Sequence, residues 1–235
     1  MAVLVEQSDI LAIRAQAAVI SLELTMGIHE SPANRRLAEA CGEELRAAIR
    51  ALRFLPAGSA HVVEGKGMPF RHVILTVPPR WLTGKANELL VLHRCYESIY
   101  AGAEEAEIHS LVMPFLSTAY YRSPKAEAVH IALREAEKNT AETVFVAESQ
   151  ELYALSRQRY RKPAIVAYVG YYRDHAIFEL ENGQFARVNF HPEKREADVI
   201  PYIEACFRAG NNPLQAALPD AEIARLRRIY EEWEY

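Results

Sequence analysis

Apolar positions along the first 160 residues fall into two spacings that take turns. Short dense runs, "AVLVEQ" at the start and the more apolar "AAVISLEL" (17–24), read as strands. Ser31-Pro32 then opens a helix, with a capping hydroxyl followed by proline at the first helical position. Leu37, Cys41, Leu45, Ile49 and Leu52 continue it at near four-residue spacing, and Gly42 inside that stripe predicts two helices or a bend. Strands follow over "SAHVVEG" (59–65) and "RHVILTVP" (71–78), then a helix from about Ala86 to Ala106. "SLVMPFLS" (110–117) is the next strand, Lys125 to Lys138 the next helix, and "TVFVAES" (143–149) a further strand before a helix from Gln150 to about Tyr160. Strands alternating with helices predict an α/β fold around a largely parallel sheet.

The pattern changes after "RQRYRKP" (157–163). "AIVAYVGYY", "HAIFELE" and "QFARVNF" read as three strands, the last two joined by Asn182-Gly183, a strong hairpin signal. Two helices are predicted beyond them, over about 197–209 and 219–233. The chain therefore divides into residues 1–160 and a small α+β unit over 161–235.

Composition narrows the function classes. Half the residues are hydrophobic and a quarter charged, with a formal net charge of -4. That balance argues against non-specific nucleic-acid binding. No run approaches the ~20 apolar residues of a membrane span, and the start lacks a signal-peptide pattern. Cys41, Cys95 and Cys206 are far apart and lie in helical patterns, which fits neither a disulfide framework nor a C-x-x-C metal site. The expectation is a cytoplasmic protein without a membrane segment, metal or cofactor. His72, His93, His109 and His130 show no metal-ligand spacing.

"VEQSDILAIRAQAAVIS", "PAGSAHVVEGKGMPFRHVILTVPPRW" and "SLVMPFLSTAYYRSPKAEAVHIALREAEK" stand in the order of three segments of the macro domain, and the chain resembles that family over roughly residues 1–150. The resemblance implies a three-layer α/β/α domain with a mixed, largely parallel sheet, followed here by the small C-terminal α+β unit. It also implies recognition of ADP-ribose or a related nucleotide. Asp9 would accept from the adenine amine, with the amide of Ile10 beside it. Gly27 and Ile28, together with Ser117, Thr118, Ala119, Tyr120 and Tyr121, would surround phosphate and ribose. Backbone N–H groups suit phosphate because several can converge without a bulky side chain.

The chain also departs from the family pattern. Two glycines of the phosphate loop are replaced by Ala119 and Arg122, and the second Asn of the N-A-A-N segment falls on Leu24. Leucine can neither donate nor accept a hydrogen bond. His29 and Glu30 stand where the family places a polar residue near the scissile bond, and they are the candidate catalytic groups for hydrolysis of an ADP-ribose linkage. Two alternatives stay open. One is a macro-like scaffold that has lost nucleotide binding and joins a protein partner through the C-terminal unit. The other is a hydrolase for a different nucleotide-sugar derivative.

Overall fold

The computed structural model describes residues 2–81, 88–119, 123–158, 161–191, 197–200 and 214–233. Two compact units are present, one comprising residues 1–80 and 91–160, the other residues 81–90 and 161–235.

The first unit is built on six strands: β1 (Val3–Glu6), β2 (Ala17–Ser21), β3 (Ala60–Glu64), β4 (His72–Thr76), β5 (Ser110–Pro114) and β6 (Glu142–Val146). Their order is β1-β6-β5-β2-β4-β3. All neighbours are parallel except β3, which runs antiparallel to β4 at the edge. The fold is thus α/β with a mixed, largely parallel sheet.

Side chains alternate across this sheet, as the pleat requires. Ala18 and Ile20 of β2, Val73 and Leu75 of β4, and Val112 of β5 share one core with Leu37, Cys41 and Leu45 of α1 (Pro32–Leu52). The opposite face is aromatic. Phe145 stacks on Phe115 with centroids 4.8 Å apart and meets the edge of Tyr96 from α2 (Glu88–Glu105). Full burial of each such large apolar side chain contributes about 1.5–3 kcal/mol. α3 (Lys125–Lys138) and α4 (Gln150–Ser156) pack on each other and on β1.

Gly42 provides the bend inside α1. Its φ of 60° and ψ of -138° interrupt the helical conformation there, a combination that suits glycine alone.

The second unit holds an antiparallel sheet of order β10-β9-β8-β7, from β7 (Ile165–Tyr172), β8 (His175–Leu180), β9 (Phe185–Asn189) and β10 (Ala197–Ile200). The β8–β9 turn places Gly183 at φ 76°, as the Asn-Gly signal predicts. α5 (Asp220–Glu232) packs on β9 with Leu226 and Tyr230 buried.

One expectation fails here. The helix predicted over 197–209 begins as strand β10, with Ala197 opposite Val188 and Ile200 opposite Phe185. The edge of β9 pairs with this segment over four residues, and that pairing sets its extended backbone. Positions 201–209 lie outside the described residues. The strand predicted to reach residue 24 also stops early, at Ser21.

Candidate functional site

Parallel strands direct their carboxyl ends to one edge of the sheet, where α/β folds place ligand sites. β2 ends there at Ser21, β5 at Pro114 and β6 at Val146. A narrow cleft, partly open to solvent, lies at these ends. Its walls come from Ser21, His29, Ser31, Asn34, Pro78, Glu148 and residues 114–119.

The N-terminus of α1 forms one wall. Ser31 caps it, its Oγ accepting from the Asn34 N–H at 3.3 Å, and Pro32 needs no acceptor. The Ala33 N–H donates to Glu148 Oε1 at 2.7 Å, and the Arg35 N–H to the Ser31 carbonyl at 2.9 Å. Every first-turn donor is therefore taken by the chain itself. Buried Asn34 ties the helix to the strand end, its Oδ1 accepting from the Ser21 N–H at 3.1 Å.

The loop after β5 forms the other wall. Ser117 is buried, has φ 59°, and donates through Oγ to the Pro79 carbonyl at 2.9 Å. Thr118 Oγ1 donates to the Phe115 carbonyl at 2.8 Å, and the Leu116 N–H to Tyr96 Oη at 2.9 Å. Among the described residues, the backbone N–H groups of Ser117, Thr118 and Ala119 have no acceptor. Consecutive donors around a left-handed residue make a concavity suited to an anion. The left-handed conformation falls on Ser117 and not on Ala119, so the alanine at the missing glycine position costs the backbone nothing. Tyr120, Tyr121 and Arg122 lie outside the described residues.

A tight turn follows β2. Leu22 bridges Ile28, the Glu23 N–H donates to the Gly27 carbonyl at 2.7 Å, and Met26 takes φ 64°. Leu24, at the tip, is 60 % exposed and does not enter the cleft. Gly27 is exposed and Ile28 half-buried, and neither lines the cleft. His29 is brought to the wall: its N–H donates to the Ser21 carbonyl at 2.9 Å and its side chain is buried. Burial lowers the His29 pKa below the usual imidazole value, against the opposing charges of Glu23, Glu148 and Glu30. Glu30 is exposed and lies off the cleft.

Asp9 caps a short 3-10 turn (Ile10–Ala12), accepting from the Leu11 N–H at 3.0 Å. Its Oδ2 pairs with the Arg36 guanidinium at 2.6 Å, both side chains being substantially exposed. That hydrogen bond, with the Leu11 amide, holds the Asp9 carboxyl below the ordinary carboxylate range. Ile10 is buried in the core and contributes packing there.

Of the residues singled out by sequence, His29, Ser117, Thr118 and Ala119 therefore meet in one cleft, while Asp9, Ile10, Gly27, Ile28 and Glu30 do not line it. Asn34 and Glu148 were not among those candidates. An acid just past a strand's carboxyl end, in "VAES", is the signal that points to Glu148.

Comparison with known proteins agrees with this architecture. Residues 25–132 match the model of the Macro domain family. A macro domain-containing protein of Mesorhizobium japonicum is 38% identical over 94 residues, which are 40% of this chain and 53% of that protein. An O-acetyl-ADP-ribose deacetylase 1 of Pantoea vagans is 35% identical over 105 residues, 41% of this chain and 61% of that protein. The chain thus spans little more than half the length of such relatives. The structure of the Oceanobacillus iheyensis macrodomain with ADP shares the fold at TM-score 0.59 and 22% identity, over 65% of this chain and 86% of that one. Over residues 25–132 the chain is thus similar to the macro domain family, and its first unit has the macrodomain fold.

Proposed function

We propose that this protein binds ADP-ribose or a related adenine nucleotide, its diphosphate received by the loop after β5. The observation that carries this reading is the set of three acceptor-free N–H groups at Ser117, Thr118 and Ala119. Ser117 and Thr118 are buried, where unpaired backbone donors are costly unless a ligand or water takes them. Ala119 is exposed beside them, and convergent N–H groups favour phosphate oxygens. The first turn of α1 has no donor to spare, so the loop carries this role alone. Asp9 would accept from the adenine amine through the oxygen that Arg36 now holds. That ion pair is exposed and hence readily exchanged. The named deacetylase relative and the ADP-bound macrodomain share the ADP moiety that this arrangement would grip.

Hydrolysis of an ADP-ribose linkage is the finer proposal. His29 suits the role of general base, because burial favours its neutral form near pH 7 and it borders the cleft. It would take a proton from a water directed at the anomeric carbon of the distal ribose. Glu30, exposed and off the cleft, is the weaker candidate. The scaffold reading draws on two acids already engaged by the chain: Asp9 is held by Arg36, and Glu148 fills the helix terminus. Leu24 counts against it, since it points to solvent and leaves the cleft open.

Isothermal titration calorimetry with ADP-ribose tests the binding proposal. Micromolar affinity, weakened in Asp9→Ala, supports it; no heat near millimolar ligand would favour the scaffold. Single-turnover assays on His29→Ala and Glu30→Ala then test hydrolysis, and unchanged turnover in both would remove it.

A further inference from the structure

We propose that His93, Glu97 and Glu135 form a binding site for one divalent transition-metal ion joining α2 to α3. His93 and Glu97 stand at i and i+4 of α2, hence on one face of that helix. Glu135 reaches the same point from α3, 4 % exposed. His93 Nε2 lies 3.2 Å from Glu97 Oε1, and His93 Nδ1 lies 3.4 Å from Glu135 Oε1. One donor atom from each side chain falls within 4.8 Å of the other two. His93 would ligate through one of its two nitrogens, and the carboxylate facing the other nitrogen would rotate to bring its oxygen within about 2.0–2.2 Å of the same ion.

The donors have reason to take an ion. His93 Nδ1 is fully buried and makes no well-directed hydrogen bond, although it faces the Glu135 carboxylate. Among the described residues, the Lys138 ammonium pairs with Glu135 Oε1, and no lysine or arginine pairs with Glu97. An imidazole nitrogen with two carboxylate oxygens matches zinc and its first-row neighbours better than calcium or magnesium, which prefer oxygen alone. Glu97 is 54 % exposed and free to swing onto the ion, and water would complete the coordination. Lys138 is the competitor. It is 47 % exposed and also borders an open groove with Tyr100 and Asn139, so an arriving ion can displace it. The site lies on α2 and α3, and none of its residues lines the cleft at the strand ends.

The test uses the full chain, free of any affinity tag and stripped of metal, titrated calorimetrically with zinc chloride. The expected result is one equivalent bound, with affinity lowered more than about tenfold in both Glu97→Gln and His93→Ala. Lys138→Ala should tighten binding, because it removes the competing cation. Glu97 is a surface residue, so its variant keeps the fold, which circular dichroism verifies. Absence of saturable binding, or a zinc affinity unchanged in both ligand variants, would overturn the site. Failure of ADP-ribose binding would leave it untouched.

Discussion

The carboxylate of Glu148 accepts the Ala33 amide at 2.7 Å, so an acid from the end of β6 occupies the N-terminus of α1. The positive end of a helix dipole stabilises such a charge. The cleft consequently carries its own anion where a bound phosphate would otherwise find a donor. Glu148→Gln keeps an acceptor for Ala33 but removes the charge. ADP-ribose affinity measured calorimetrically should then rise roughly fivefold, as expected for relief of one nearby like charge. Glu148→Ala should add a stability loss of about 0.5–1 kcal/mol in urea unfolding. Unchanged affinity in the glutamine variant would place the diphosphate away from this corner.

Asp9 and Arg36 form an exposed pair with a different consequence. Arg36→Ala frees Asp9 Oδ2 and should preserve or raise ADP-ribose affinity, whereas Asp9→Ala should lower it about tenfold or more, the weight of a lost hydrogen bond to a charged group. Arg36→Ala should leave the thermal midpoint nearly unchanged, because surface pairs contribute little. Asp9→Ala also removes the cap of the 3-10 turn and should lower the midpoint. Equal losses of affinity from both substitutions would mean that Asp9 acts through its pair with Arg36 and not on the nucleotide.

Local signals in this chain translate directly into structure, while those depending on distant partners do not. The Ser31 cap, the bend at Gly42, the limits of α3 and the Asn182-Gly183 hairpin each depend on a few adjacent residues. By contrast, Glu148 meets Ala33 across 115 positions, and only the sheet order brings them together. The same limit explains β10, whose conformation is set by the edge of β9. The two left-handed residues at Met26 and Ser117 were also hidden. Glycine marks such conformations by default, yet here the loops hold side chains in them. Of the candidate site, the loop after β5 and His29 were legible because each follows a strand's carboxyl end. Asn34 was concealed inside a helix pattern.

Gly42 offers a direct test of how the bend in α1 is maintained. A Cβ there would meet nothing closer than Glu44 Oε2 at 3.5 Å, so space is available and only the backbone objects. Gly42→Ala should therefore cost about 1–3 kcal/mol in urea unfolding, the strain of that conformation for an L-residue. ADP-ribose affinity should stay the same, since Gly42 does not line the cleft. Destabilisation well below this range would mean that α1 straightens through the site.

Acid sensitivity should trace to His130 on α3. Burial, reinforced by Arg134, lowers its pKa from 6.5 to about 4 in the folded protein. The unfolded chain therefore binds a proton more readily, and the sign follows from linkage. The contribution of His130 to stability is complete above pH 6.5, then declines as pH falls through that value toward about 4. His29, also lowered by burial, acts in the same direction. Urea unfolding of the wild type between pH 7 and pH 4 should show stability falling, with carboxylates adding their share at the lower end. His130→Gln cannot take up the proton, so its curve should be flatter between pH 6.5 and 5, where few carboxylates titrate. The stability of the wild type relative to His130→Gln should thus fall as the pH drops from 6.5 to 5. Parallel curves would mean that His130 is protonated in the folded state as easily as in the unfolded chain.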